Sequence, residues 1–135
     1  RLVSNQVSQA FAARLDARGV TVAEWVMLRA LYDAPPTAPT QLAETMGLTK
    51  GAITRLADRL ISKSLVLRRA NGEDARAQTL SLTPEGKRLV PQLAALADAN
   101  DQAFFSGLSP AERAALEDTL RRLAARFGKT SLPIS

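Results

Sequence analysis

There is no cysteine and no histidine in this chain of 135 residues. Without cysteine it can hold no disulfide framework, no thiol redox switch and no zinc–thiolate site. Without histidine it lacks the commonest metal ligand and the commonest acid–base group. The usual nucleophile–base pairs are therefore closed to it, and no phosphate-cradling glycine loop is present. The carboxylates are scattered over expected helix surfaces. Enzyme chemistry is the poorest reading of this composition, and no catalytic residue, metal ligand or cofactor is expected. Aromatic residues are scarce at 4%, so the core must come from leucine, alanine and valine, which favours helices. No secretion signal is visible and no apolar run is long enough to span a bilayer. No membrane partner is expected, and the expected compartment is the cytoplasm. The chain begins at Arg1 rather than methionine, so a few residues are expected to precede it.

What is present is apolar enough to fold. Hydrophobic residues make up 46% of the chain, and its length fits one domain with a real core. The formal net charge is +5, and its location matters more than its size. Nine bases (Lys50, Arg55, Arg59, Lys63, Arg68, Arg69, Arg76, Lys87 and Arg88) and four acids (Asp58, Glu73, Asp74 and Glu85) lie between residues 50 and 88. The rest of the chain is balanced, so the whole excess sits in that window. This is the electrostatic footprint of a nucleic-acid-binding protein. A run of solubilising charge is the alternative.

The window overlaps the most structured part of the sequence, Thr37–Leu82. A helix is expected over about Pro39–Met46, stopped by Gly47, which can take the left-handed conformation that closes a helix. Thr49 is a good N-cap for a second helix over about Lys50–Lys63. Its apolar residues Ile53, Leu56, Ala57 and Leu60 follow i, i+3, i+4, i+7 and define a buried face. The opposite face carries Gly51, Thr54, Arg55, Asp58, Arg59 and Ser62. It is short, polar and basic, as suits a helix lying in the DNA major groove. Arginine presents a planar fork to guanine. Threonine can meet a base or a phosphate, and Gly51 lets the helix start come close to a backbone.

A hairpin is expected next, with strands over Leu65–Arg69 and Gln78–Leu82 and a polar connection over Ala70–Ala77. Leu65 and Leu67 alternate with Val66 and Arg68, and Asn71-Gly72 is a turn signal. A hairpin after a recognition helix is a wing, and it can put an arginine at a phosphate or in the minor groove.

Helices are expected on either side. Leu2–Arg18 carries Val7, Phe11 and Leu15 on one stripe and ends at Gly19. Thr21 and Glu24 form a capping box for a helix to about Asp33, with Trp25 as a core anchor or a ligand-pocket wall. Pro35-Pro36 breaks the chain. Thr83-Pro84-Glu85 starts a helix to about Phe105 in which Pro91 is a possible bend. Ser109 and Glu112 cap a last helix to Phe127, closed by Gly128. Its Leu116, Leu120, Leu123 and Phe127 form an apolar stripe that fits a partner chain or packing within one chain.

The stretch PTQLAETMGLTKGAITRLADRLISKSLVLRR from Pro39, then DARA from Asp74 and LSLTPEG from Leu80, resembles the winged-helix repressors of the multiple antibiotic resistance regulator (MarR) family. The fold class implied is mainly α with a small β-wing: a winged helix-turn-helix over residues 37–82, flanked by dimerisation helices over residues 1–18 and 84–128. The resemblance implies an obligate homodimer on a pseudo-palindromic operator in double-stranded DNA. It also implies repression that is relieved when a small, often aromatic or phenolic, effector binds. It gives Asp74 and Arg76 the family's aspartate-x-arginine wing pattern, with Asp74 orienting Arg76. It places an effector pocket between the DNA-binding part and the dimer helices, where Phe11, Arg14, Leu15 and Trp25 are candidate walls. Arg14 and Arg18 would meet an anionic ligand there, or simply be solvated.

Within this reading Thr49, Lys50, Thr54 and Arg55, at the start of the recognition helix, reach base edges or nearby phosphates. Thr40, Arg59, Arg68 and Arg69 hold phosphates, which fixes register without reading sequence. Asp58 is expected to pair with an arginine. A two-fold dimer sets its recognition helices one DNA turn apart, roughly 34–36 Å, so a site of roughly 16–20 base pairs is expected. A non-specific architectural DNA binder remains the alternative.

Overall fold

Three threonines decide where three of the helices begin. Thr21, Thr49 and Thr83 stand in extended backbone, and each hydroxyl oxygen accepts from the amide three residues on: Glu24 at 3.1 Å, Ala52 at 3.1 Å and Gly86 at 3.0 Å. Each satisfies a backbone donor that the first helical turn leaves unpaired. The computed structural model describes residues 2–71 and 74–127, without the side chains of residues 2–8, 71–77, 104 and 127. The elements in chain order are α1 (Leu2–Asp16), α2 (Val22–Leu31), α3 (Pro39–Met46), α4 (Lys50–Ser62), β1 (Val66–Asn71), β2 (Asp74–Leu82), α5 (Pro84–Phe105) and α6 (Pro110–Phe127). The mainly helical class with a small two-stranded wing is as expected.

The helix-turn-helix closes at Gly47, which has φ 66. The expected apolar face of α4 is the buried one: Ile53, Leu56, Ala57 and Leu60 join a single core with Leu15, Met27, Leu28, Leu42, Leu80 and Leu93. α1 lies along α5, and α2 packs on α3, α4 and β2. Thr37 exchanges two backbone hydrogen bonds with Leu80, at 2.9 and 2.8 Å, so the segment before α3 is pinned to the wing.

The wing differs from expectation in two ways. The buried β1 residue is Val66, while Leu67 is 38% exposed. The register explains this: Val66 opposes Leu82 and Arg68 opposes Leu80, so these four share the inner face, and Leu67, opposite Ser81, is on the outer one. The strands also run further than the apolar pattern reaches. Regular pairing continues to Ala70 opposite Gln78, and after a register shift Asn71 pairs with Asp74. Alternating hydrophobicity marks a strand only where one face is buried, and Arg69, Ala70 and Gln78 are all exposed. Gly72 and Glu73, within the expected turn, lie outside the described residues, as do Gly128 and the Val7 side chain.

α1 and α2 end at Asp16 and Leu31, two residues short of expectation. After α2 the chain reverses through Asp33, which has φ 56. α5 is helical straight through Pro91. The interior proline is carried by the packing of its neighbours, since Val90 and Leu93 are both buried.

The joint between wing and α5 is tight. The Thr83 hydroxyl donates to the Ser64 carbonyl at 2.7 Å, and the Thr83 amide donates to the Leu65 carbonyl at 3.0 Å. A Cβ on Gly86 would lie 2.3 Å from that same Leu65 oxygen, so only glycine lets the first turn of α5 come this close. α6 is different. In the middle of its stripe Leu120 and Leu123 are 52% and 48% exposed.

Candidate nucleic-acid interface

α4 presents the surface that the sequence marks as basic. Gly51, Thr54, Arg55, Asp58, Arg59 and Ser62 are all exposed, and so are Thr49 and Lys50 at its start. Among the described residues Lys50, Arg55 and Arg59 form no ion pair. The one acid on this face, Asp58, is neutralised: Arg68 Nη2 lies 2.7 Å from its Oδ1. The expected pairing of Asp58 with an arginine is thereby met. It has a further effect, because Arg68 belongs to β1 and so the pair ties the wing to the recognition helix. The face is left with three uncompensated cations and no uncompensated anion.

The two threonines divide their roles. Thr49 Oγ1 accepts from Ala52, which leaves its O–H able to donate outward. Thr54 donates to the Lys50 carbonyl at 3.0 Å, so its methyl and lone pairs are what it offers in the resting chain. Among the described residues nothing requires glycine at position 51: a Cβ there would meet Arg55 Nη1 alone, at 3.7 Å. Thr40 is exposed in the first turn of α3, whose N-cap is Ala38 and makes no side-chain cap, so that helix start is open to an outside acceptor.

Not every expected residue joins this surface. Arg69 is exposed on the wing's outer face, opposite Arg68, and lines a separate cleft. The side chains of Asp74 and Arg76 lie outside the described residues, although both positions belong to β2. Of the candidate effector walls, Leu15 is fully buried in the core, Phe11 and Trp25 are half-buried against it, and Arg14 is half-buried on α1. Arg18, offered as an alternative anion partner, donates instead to the side-chain oxygen of Gln92 on α5.

The structure gives two residues a role that sequence reasoning missed. Lys63, counted among the nine bases of residues 50–88 but not on the outer face of α4, turns toward α2. Its ammonium donates to the Gly19 carbonyl at 2.7 Å and to both oxygens of Glu24, at 2.9 and 2.7 Å. Glu24 is fully buried and also accepts from the Thr21 amide at 2.8 Å. Burial pushes the Glu24 carboxyl up, but the hydrogen bond from Lys63, those of Thr21 and the Lys63 charge outweigh it and hold the group below its ordinary value of 4.5. The C-terminal end of the recognition helix is thus bolted to the start of α2. The capping box was a legible signal for Glu24, but nothing in the sequence points to a lysine 39 positions away.

The arrangement suits backbone-and-base contact with a polyanion. Among the described residues no cluster of acids could hold a metal, and no helix is long and apolar enough to cross a membrane. A sequence profile described as the MarR family matches residues 18–77. A regulatory protein assigned to the hcr operon of Thauera aromatica is 30% identical over 112 residues, 83% of this chain and 68% of that protein. The transcriptional repressor YetL of Bacillus subtilis is 33% identical over 92 residues, 67% of this chain and 55% of that protein. Among solved structures, a mutant of MarR from E. coli in complex with operator DNA is 28% identical and superposes with a TM-score of 0.74, covering 90% of this chain and 88% of that one. Those relatives are regulators rather than enzymes. By its fold, its basic recognition helix and these likenesses, the chain belongs to the MarR family of winged-helix transcriptional regulators.

Proposed function

We propose that the chain acts as a homodimeric repressor. Two copies of α4 would enter successive major grooves of a pseudo-palindromic operator, and a small effector would release them. The observation that carries the reading is the outer face of α4, where Asp58 is silenced by Arg68 while Lys50, Arg55 and Arg59 form no ion pair among the described residues. Arg55 and Thr54, with Thr49 and Lys50, reach base edges or adjacent phosphates. Arg59, Arg68 and Thr40 hold the backbone, and Asp74 and Arg76 serve the wing.

The exposed Leu120 and Leu123 support the dimer, because a terminal helix with an uncovered apolar stripe needs a partner surface. The repressor role is taken from YetL, and operator binding from the MarR complex. A DNA target inside the cell sets the cytoplasm as its compartment.

The test is fluorescence anisotropy on the chain's own upstream DNA at two salt concentrations, with random-sequence competitor. Affinity should fall about 10³-fold or more between 50 and 200 mM salt if a dimer neutralises six or more phosphates. Arg55→Ala should cost about 1–3 kcal/mol and relax sequence preference. An unchanged operator affinity in Arg55→Ala would remove α4 from the interface. Binding that competitor abolishes would make the protein a non-specific architectural binder.

A further inference from the structure

A cleft of about 500 Å³ opens on the outer side of the wing, between β1–β2, the connection after α2 and the first turn of α5. We propose that this cleft is a binding site for a small organic monocarboxylate. The inference names a site for the effector proposed above and rests on that reading for its role, though not for the binding itself.

The lining has two chemistries in one place. Leu67 is 38% exposed at this surface, unusual for a strand leucine, and the half-buried ring of Tyr32 adds a second apolar wall. Arg69 and Lys87 supply two cations from different elements, and neither has a hydrogen-bond or ion-pair partner among the described residues. Ser81, opposite Leu67 in the register, adds a hydroxyl. Asp33 also lines the cleft and forms no ion pair there. Two cations against one acid leave room for a single negative charge. A carboxylate answers that surplus, and the Arg69 fork can take it with two parallel hydrogen bonds. A phosphate dianion would exceed the single surplus charge and would leave Leu67 and Tyr32 uncovered. Clefts of this volume are ordinary for small-molecule sites.

The position also explains how an occupant would be felt. Arg68 and Arg69 are neighbours on β1 that point to opposite faces: one holds Asp58 of α4, the other faces the cleft. A ligand bridging Arg69 to Lys87 therefore holds the strand that holds the recognition helix. Any effect on DNA affinity must be returned as an equal effect of DNA on ligand affinity.

Benzoate is the probe, titrated into the whole chain and followed by amide chemical shifts. Saturable shifts are expected at Leu67, Arg69, Ser81 and Lys87, with a dissociation constant of about 1 mM, as suits a ligand of this size. Benzamide, the same shape without the charge, and inorganic phosphate should each bind at least about tenfold more weakly. Lys87→Gln should weaken benzoate about fivefold or more, and Asp33→Asn should tighten it about twofold or more, since asparagine tolerates the left-handed backbone of that position. Spectra unchanged away from the cleft will show that these variants fold. Non-saturating shifts, equal binding of benzamide, or indifference to both variants would overturn the site. The same protein is then titrated with operator, with and without saturating benzoate. A filled cleft with unchanged operator affinity would overturn the effector role. Absence of operator binding in benzoate-free protein would overturn the repressor reading and leave the site standing.

Discussion

Replacing Lys63 with methionine tests whether the recognition helix is held from behind. The substitution keeps most of the apolar stem of the side chain and removes three hydrogen bonds from one ammonium, to the Gly19 carbonyl and to both oxygens of Glu24. It strands a carboxylate that is fully buried. Breaking a buried pair by removing one partner costs about 3–5 kcal/mol. Here the figure is reduced, because the Lys63 side chain is 38% exposed and water can partly take its place, while Thr21 still donates to Glu24. We expect about 2–3 kcal/mol for Lys63→Met. Glu24→Gln should cost about 1–2 kcal/mol, because it removes the charge, keeps the Thr21 contact and leaves Lys63 free to turn to water. The double variant should then cost at least about 1 kcal/mol less than the sum of the singles, since the second change removes a penalty the first created. Urea unfolding at fixed protomer concentration reads all four corners of the cycle. The Glu24 carboxyl sits below its ordinary 4.5 in the folded chain, so its stabilisation is complete above 4.5 and is lost as pH falls through the lower folded value. Glu24→Gln should flatten that acid limb. Strict additivity, with each single change costing under about 0.5 kcal/mol, would refute the reasoning and make the contact an ordinary surface pair.

Three further substitutions follow from backbone geometry. Gly51→Ala should raise stability by about 0.5–1 kcal/mol, because alanine is the better helix former and no atom of the described residues obstructs it, yet it should weaken operator binding if DNA backbone comes close there. Thermal unfolding and anisotropy moving in opposite directions is the expected signature. Gly86→Ala should destabilise by about 2–3 kcal/mol in a denaturant titration, because its Cβ would collide with the Leu65 carbonyl, which is backbone and cannot yield cheaply. Ser64→Gly should stabilise by about 0.5–1 kcal/mol, since Ser64 has φ 62 and its hydrogen bond to Thr83 uses only the carbonyl; a loss of stability would show the serine side chain to matter.

Local rules reached far along this chain. The caps at Thr21, Thr49, Thr83 and Ser109 are hydrogen bonds across three residues, so their spacing alone announces the helix starts. The buried and exposed faces of α4 are a consequence of a 3.6-residue period, and the structure leaves them as read. The wing was less legible. Its inner and outer faces depend on which of two adjacent residues, Val66 or Leu67, meets the core, and a one-residue choice of that kind is settled by packing. Gly86 was visible only as part of a motif; the reason for it is a carbonyl 21 positions earlier in the chain.

Composition, capping and periodicity by themselves determined a mainly helical chain with a basic helix-turn-helix and no means for thiol or histidine chemistry. Only the tertiary structure decided what each charge does. It spends Lys63 on Glu24, sets Arg68 against Asp58, turns Arg69 away into a cleft and, among the described residues, leaves Lys50, Arg55 and Arg59 without an ion pair. The physical reason is range. A cap or a helical face is fixed by neighbours within one turn, whereas the partner of a long basic side chain is whichever acid, carbonyl or solvent the folded chain brings within its reach.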